Sequence, residues 1–263
     1  MLNKIKNQKP LIHCITNPIS INQCANAVLA LGARPIMAEH PNEVAEITET
    51  ADALLLNIGN ITDVRMKSIQ LSAETAYKNN IPFVFDAVGV ACSEFRRKYA
   101  LDFSEKYYPA ILKGNYSEIN ALCNCDYKSK GVDSDIKLTV EEVSRIAVAL
   151  AKRYGTTVLA SGKTDIITDG TKIFCVKNGT NQLSDITGTG CMLGAICAVF
   201  LSFNDAVSSA IKACATLGIC GELSETEKGN STFLINLIDN LSTATDETIN
   251  KMIKSEEISI ENS

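Results

Sequence analysis

Short, almost unbroken apolar runs alternate with helix-length segments from Leu11 to Ser161, and few architectures accommodate that alternation. Ala53 to Ile58 and Ile81 to Phe85 are apolar nearly throughout, not at every second position. Strands covered on both faces read this way. Leu11 to Ile15, Pro35 to Ala38, Ala110 to Lys113 and Thr156 to Ser161 read as further strands. Between them lie helical patterns at Ile19 to Leu31 (closed by Gly32), Asn42 to Thr50, Thr62 to Asn79, Glu94 to Glu105 and Ser117 to Leu122. Thr62 is a suitable N-cap. Thr139-x-x-Glu142 is a capping box, and Val143, Ile146, Ala147 and Leu150 share one face of the helix it opens. Repeated strand–helix units predict an α/β chain whose central sheet is mostly parallel, with helices on both faces.

The exceptions to the alternation are few. Ile166 to Thr168 and Lys172 to Val176, joined by Asp169-Gly170, predict a hairpin. Three helices are expected at about Gly190 to Phe203, Asp205 to Glu222 and Thr232 to Ile253. Asp126 to Asp135 is the most loop-like interior stretch. Neither an internal repeat nor a Pro/Gly/Ser linker occurs, so a single domain over residues 1–263 is expected, with a polar, frayed tail at about 254–263.

Composition narrows the function. The 263 residues carry 25 Lys and Arg against 30 Asp and Glu, a net charge of −5, and no Trp. Without a basic run interleaved with aromatics, nucleic acid is not an expected partner. Ile186 to Phe203 is uncharged for 18 residues, near the length of a membrane span. It opens on Thr-Gly-Thr-Gly and lacks basic flanks, so a buried helix is expected, and no membrane partner. The ten cysteines fall mostly in apolar segments with no C-x-x-C pair, and the first ten residues lack the apolar core of a signal peptide. Free thiols in a reducing cytoplasm are the expectation, and zinc is not.

Function concentrates at one corner. In Asp185-Ile-Thr-Gly188-Thr189-Gly190-Cys191 two glycines stand where a loop meets the uncharged helix. Their backbone can turn successive N–H groups to one side, beside a helix start with free donors and a positive dipole end. The corner suits a phosphate or an oxyanion, or it only eases a tight turn. Polar or small residues also close the predicted strands: Asn57, Asp86, Lys113-Gly-Asn115 and Ser161-Gly162. Ligands of parallel sheets bind beyond that edge, and the convergence favours a site there.

Several chemistries are excluded by spacing. The chain has no G-x-x-x-x-G-K-[ST], and Leu193 stands where a dinucleotide fingerprint needs its third glycine. Neither His13 nor His40 has a nucleophile motif beside it, so both read as structural or substrate-edge residues. Asp86 and Glu118 suit Mg²⁺ held through water, or merely cap helices. Lys113 can neutralise phosphate charge or be solvated. Cys191, beside a helix start, is either an activated thiol or an apolar filler.

The sequence resembles the hydroxyethylthiazole kinases of the ribokinase-like superfamily. The resemblance rests on Pro10-Leu-Ile-His-Cys-Ile-Thr-Asn17, Ala30-Leu-Gly-Ala-Arg-Pro-Ile-Met-Ala38, Leu56-Asn-Ile-Gly59 and Asp86-Ala-Val-Gly-Val90. It continues through Lys113-Gly-Asn-Tyr-Ser-Glu118, Lys130-Gly-Val-Asp-Ser134, Ser161-Gly162 and Asp185-Ile-Thr-Gly-Thr-Gly-Cys191. It implies a ribokinase-like three-layer sandwich, a homotrimer with active sites between subunits, and transfer of the ATP γ-phosphoryl to the primary alcohol of 4-methyl-5-(2-hydroxyethyl)thiazole. By the same resemblance Asn17, Met37 and Gly188 would bind the thiazole, and Gly188, Thr189, Gly190 and Cys191 would form the catalytic anion hole. Lys113, Asn115 and Ser161 would bind ATP, and Asp86 and Glu118 would organise Mg²⁺. Three positions depart from the family's pattern: Ala87 replaces a proline, Cys92 a common glycine and Lys113 an arginine. Other ribokinase-like kinases, a repair dehydratase of the same fold and a non-catalytic binder are the rival readings. The first two typically carry aspartate at the Cys191 position and lack the His13-x-Ile-Thr-Asn17 opening.

Overall fold

The computed structural model describes residues 1–123 and 138–259. A short helix α1 (Leu2–Gln8) leads into β1 (Leu11–Ile15), followed by α2 (Ile21–Ala30), β2 (Arg34–Ile36), α3 (Val44–Glu49), β3 (Ala53–Asn57), α4 (Asp63–Asn79) and β4 (Phe83–Asp86). Next come α5 (Glu94–Tyr107), β5 (Ile111–Asn115), α6 (Tyr116–Cys123), α7 (Val140–Tyr154), β6 (Thr157–Ser161), β7 (Asp165–Thr168) and β8 (Ile173–Val176). A 3₁₀ turn at Asn181–Leu183 precedes α8 (Thr189–Leu201), α9 (Ala206–Glu222), α10 (Asn230–Thr243), α11 (Asp246–Met252) and β9 (Ser255–Ile258).

Among the described residues nine strands join one sheet in the order β2-β1-β3-β4-β5-β6-β7-β8-β9. The pairs from β2 to β6 are parallel. Those from β6 to β9 are antiparallel, with the predicted hairpin as β7–β8. β3 is buried at all five positions, as its apolar run requires, because a layer of helices covers each face of the sheet. One layer contains α2, α8, α9 and α10; the other contains α4, α5 and α7. Eleven of the thirteen residues of α8 are buried. Each large apolar side chain so placed contributes roughly 1.5–3 kcal/mol. That burial accounts for the long uncharged run, and among the described residues no helix is long and apolar enough to cross a membrane.

The structure differs from the sequence expectations in four places. α1 was not foreseen, since only Leu2 and Ile5 bury in a lysine-bearing segment. It is fixed from afar: Asp246 accepts from the Leu2 amide at 2.9 Å and pairs with the terminal ammonium at 2.6 Å. The expected helix Thr232 to Ile253 is two helices, α10 and α11. Thr245 is extended there and caps α11 by accepting from the Thr248 amide at 3.1 Å. The expected frayed tail is in part a strand: β9 pairs with β8 from Val176↔Ser255 to Ile173↔Ile258. Its two consecutive carboxylates each meet a lysine, Glu256 with Lys177 at 2.6 Å and Glu257 with Lys172 at 3.4 Å. Finally, β5 runs on to Asn115 and α6 follows without a loop. The expected loop at Asp126 to Asp135 and the stretch Lys130 to Ser134 lie outside the described residues. Cys14, Cys24, Cys92, Cys175, Cys191, Cys197, Cys214 and Cys220 are free thiols, most of them buried.

Candidate active site

Three strand ends place three polar side chains side by side. In the parallel register Asn57 stands opposite Asp86, and Asp86 opposite Lys113. Register neighbours share a face of the sheet. The Lys113 ammonium donates to Asp86 Oδ1 at 3.1 Å, and Asn57 Nδ2 donates to Asp86 Oδ2 at 2.9 Å. Asp86 is wholly buried and Lys113 is 3% exposed. A buried pair survives only if its remaining valences are met, which Asn57 helps to do. Burial works against the Lys113 charge, but Asp86, Cys191 and Glu118 outweigh it and hold the ammonium above the ordinary lysine range.

Two other elements reach this row. Asn17, just beyond β1, accepts from the Ile19 and Ser20 amides through Oδ1, both at 3.1 Å. That turns its Nδ2 toward Asn57 Oδ1 at 3.3 Å and Cys191 Sγ at 3.4 Å. Asn57 Nδ2 also points at Cys191 Sγ, at 3.3 Å. The sulfur thus accepts from two amides. Glu118, in the first turn of α6, accepts from the Gly89 amide through Oε1 and the Asn115 amide through Oε2, both at 2.7 Å. Burial and the neighbouring Asp86 raise its pKa, against the pull of those two amides.

α8 begins at the edge of this cluster. Gly188 is its N-cap, in the left-handed region at φ +94°, where a Cβ would also meet Ser20 Cβ at 3.1 Å. Glycine is required on both counts. No side chain caps the helix, which leaves its first amides available. The Thr189 hydroxyl donates to the Leu183 and Ile186 carbonyls and so ties down the preceding loop. Gly190 has open space where a Cβ would be. One turn further on, Gly194 lets the helix lie against Asp86, whose Oδ2 is 3.3 Å from where a Cβ would sit.

On the far side of the α8 start lies a cavity of about 1110 Å³, lined by Thr189 and Gly190, by Ser161, Gly162 and Asp165, by the 178–184 loop and by Leu217 and Gly218. Its loops are clasped by side chains. Glu222 Oε1 accepts from Asn178 Nδ2 at 3.2 Å, the Gly179 amide at 3.0 Å and the Lys254 ammonium at 3.0 Å. Gln182 binds both backbone groups of Thr226, at 2.7 and 3.1 Å.

The predicted site residues therefore fall into two connected groups. Asn17, Asp86, Lys113, Glu118 and Cys191 form the buried cluster, with Asn115 beside Glu118. Ser161, Thr189 and Gly190 face the cavity. Asn115 and Ser161 are register partners, and the Ser161 hydroxyl donates to the Gly114 carbonyl at 3.4 Å. Met37 follows the edge strand β2 and packs partly buried on the core. His13 is fully buried; its Nε2 donates to the Ala38 carbonyl at 2.9 Å and its Nδ1 lies 3.0 Å from the Thr48 hydroxyl. It is a structural residue that holds the Met37 segment. Burial keeps its pKa below the usual histidine value. The sequence shows Asn57 only as a strand end, because its contact with Cys191 spans 134 residues.

Residues 2–247 match the family model described as the Hydroxyethylthiazole kinase family. Hydroxyethylthiazole kinase 2 of Clostridium botulinum is 47% identical over 255 residues, covering 95% of this chain and 96% of its own. The solved hydroxyethylthiazole kinase of Pyrococcus horikoshii superposes with a TM-score of 0.88 at 32% identity, covering 98% of this chain and 97% of its own. A Staphylococcus aureus pyridoxal kinase solved with AMP-PCP and pyridoxal shares the fold alone, with a TM-score of 0.68 at 12% identity over 96% of this chain and 99% of its own. Together with the buried polar row and the glycine corner, these matches assign the chain: it belongs to the hydroxyethylthiazole kinase family.

Proposed function

We propose that the chain, acting as one kinase domain, transfers the γ-phosphoryl group of ATP to the primary hydroxyl of 4-methyl-5-(2-hydroxyethyl)thiazole, giving the thiazole phosphate used in thiamine biosynthesis and salvage. One observation carries this reading: an uncapped helix start stands between a small buried polar cluster and a cavity large enough for a nucleotide. The thiazole alcohol occupies the cluster side, bounded by Asn17, Met37 and Gly188. ATP occupies the cavity, with its phosphates drawn toward Ser161, Asn115, Lys113 and the amides of Gly188 to Cys191.

Phosphoryl transfer needs positioning and charge stabilisation more than covalent chemistry. The helix-start amides are fixed before substrate arrives, so they neutralise charge on the migrating group without reorganising. Lys113, held by Asp86, adds a buried positive charge. Cys191 accepts from Asn17 and Asn57, which orients both amides beside the alcohol.

Mg²⁺ keeps several waters and takes phosphate oxygens readily. The residues fit such a cation. Each Glu118 oxygen accepts one N–H, leaving lone pairs for water, and Glu118 is 8% exposed, against 0% for Asp86. Glu118 and, deeper, Asp86 would hold the ion through water, and when bound it would neutralise the β- and γ-phosphates. A homotrimer with shared active sites in the cytoplasm completes the proposal. Exposed Ile19, two residues from Asn17, and exposed Leu29 toward the end of α2 supply apolar surface for a neighbouring subunit.

An ADP-release assay with Mg-ATP and the thiazole alcohol tests the reaction, with pyridoxal and hydroxymethylpyrimidine as rival acceptors. Turnover is expected with the thiazole alone. Faster turnover with either rival would transfer the assignment to that substrate, and sedimentation as a monomer would remove the shared-site arrangement.

A further inference from the structure

Asp165 opens β7 and lines the cavity, yet the reaction as described gives it no task. Its Oδ1 accepts from the Gly162 amide at 3.0 Å, and the Cys214 thiol also donates to its carboxylate. A carboxylate has about four lone-pair sites, so acceptor capacity remains. The other two carboxylates that line the cavity, Glu225 and Glu227, lie exposed on its rim, and Glu225 already accepts from the Thr180 hydroxyl.

We propose that Asp165 is the specificity residue for the sugar of the nucleotide, accepting a hydrogen bond from a ribose hydroxyl. This rests on the kinase reading above. A carboxylate repels phosphate oxygens, so in this cavity it must face donors, and a nucleotide offers only its ribose hydroxyls and the amine of its base. The phosphate end is fixed by the α8 start and Ser161. The base end is marked by Leu183 and Leu217, whose apolar surfaces suit a flat ring. There Gly218 lets the 178 loop lie close, since a Cβ would come within 2.6 Å of the Asn178 carbonyl oxygen. Asp165 stands four residues beyond Ser161 and holds the Gly162 amide next to it, so on this reading it lies beside the phosphate end, where the sugar follows.

The test compares ATP, 2′-deoxy-ATP, 3′-deoxy-ATP and ITP in equilibrium binding and in turnover, on the full chain and on Asp165→Asn. Asparagine still accepts from Gly162, and its thermal melt and thiazole KM report whether the fold and the acceptor side are kept. The wild type should bind at least one deoxynucleotide about 10- to 100-fold more weakly than ATP, the range for a hydrogen bond to a charged group. In Asp165→Asn the affinity for ATP should fall toward that of the deoxynucleotide, while the ATP-to-ITP ratio stays unchanged. Equal deoxy penalties in both proteins, no penalty in the wild type, or loss of the ATP-to-ITP ratio instead would overturn the assignment. Failure of the kinase reading is separate: it appears as ATP binding without thiazole-dependent ADP release.

Discussion

The buried cluster and the open cavity touch at one helix start but are built on opposite plans. The cluster takes its side chains from strand ends in register, and nearly every polar atom in it has a partner inside the protein. The cavity is walled by loops, held in shape by side chain-to-backbone clasps such as Glu222 and Gln182. A cluster of this kind concentrates stability and rigidity in a few bonds, whereas the cavity spreads them over many weaker ones. Single substitutions should therefore cost far more on one side than on the other.

Asp86→Ala should show the largest effect. It strands the buried Lys113 ammonium, so unfolding free energy in denaturant should drop by about 3–5 kcal/mol. Adding Lys113→Met should recover part of that loss; a single variant as stable as wild type would break the contrast. At the junction, Gly190→Asp places a negative charge in open space, so kcat should fall about 10²- to 10³-fold with little change in melting temperature. Cys191→Ala should lower kcat less, and the reverse ranking would make the thiol, not the amides, the main contributor. On the cavity side, Glu222→Ala removes the acceptor that Asn178, Gly179 and Lys254 share. The ATP KM should rise about 5- to 30-fold, for a clasp worth about 1–2 kcal/mol, with the thiazole KM unmoved.

The smallest effect is a pH signature. Burial raises the Asp165 pKa from its ordinary value to about 6. Between about pH 4 and 6 the folded chain holds a proton that the unfolded chain has lost, so this group's contribution makes stability fall as pH rises through that window. Asp165→Asn should melt higher than wild type at pH 8, and the gain should vanish at pH 4. A gain of the same size at both pH values would show that charge is not its cause.

The sequence made the sheet legible wherever burial on two faces wrote an apolar run, as in β3, β4 and β6. It concealed elements held from a distance. α1 depends on Asp246, and β9 depends on a ladder to β8 with only Ile258 half-buried. The α10–α11 break was hidden because apolar positions continue across Thr245, whose cap is local and polar. In the site, strand-end polarity located Asp86, Lys113, Asn115 and Ser161 before any contact was known. The Asn57 and Asn17 bonds to Cys191 could not be read that way, since no local pattern records which distant side chain a sulfur will meet. Asp165 escaped notice because an acid at a strand start reads as a surface residue until the cavity beside it is seen.

Gly190 and Cys191 are neighbours in the chain, yet one borders the cavity and the other the cluster. The partition between cavity and cluster is thus a single peptide link thick. In the proposed reaction the two substrates would meet across that wall. Its position tolerates almost no shift, because a displacement of about 1 Å can cost on the order of 10²-fold in rate. The eleven buried residues of α8 serve as the foundation that keeps the wall from moving.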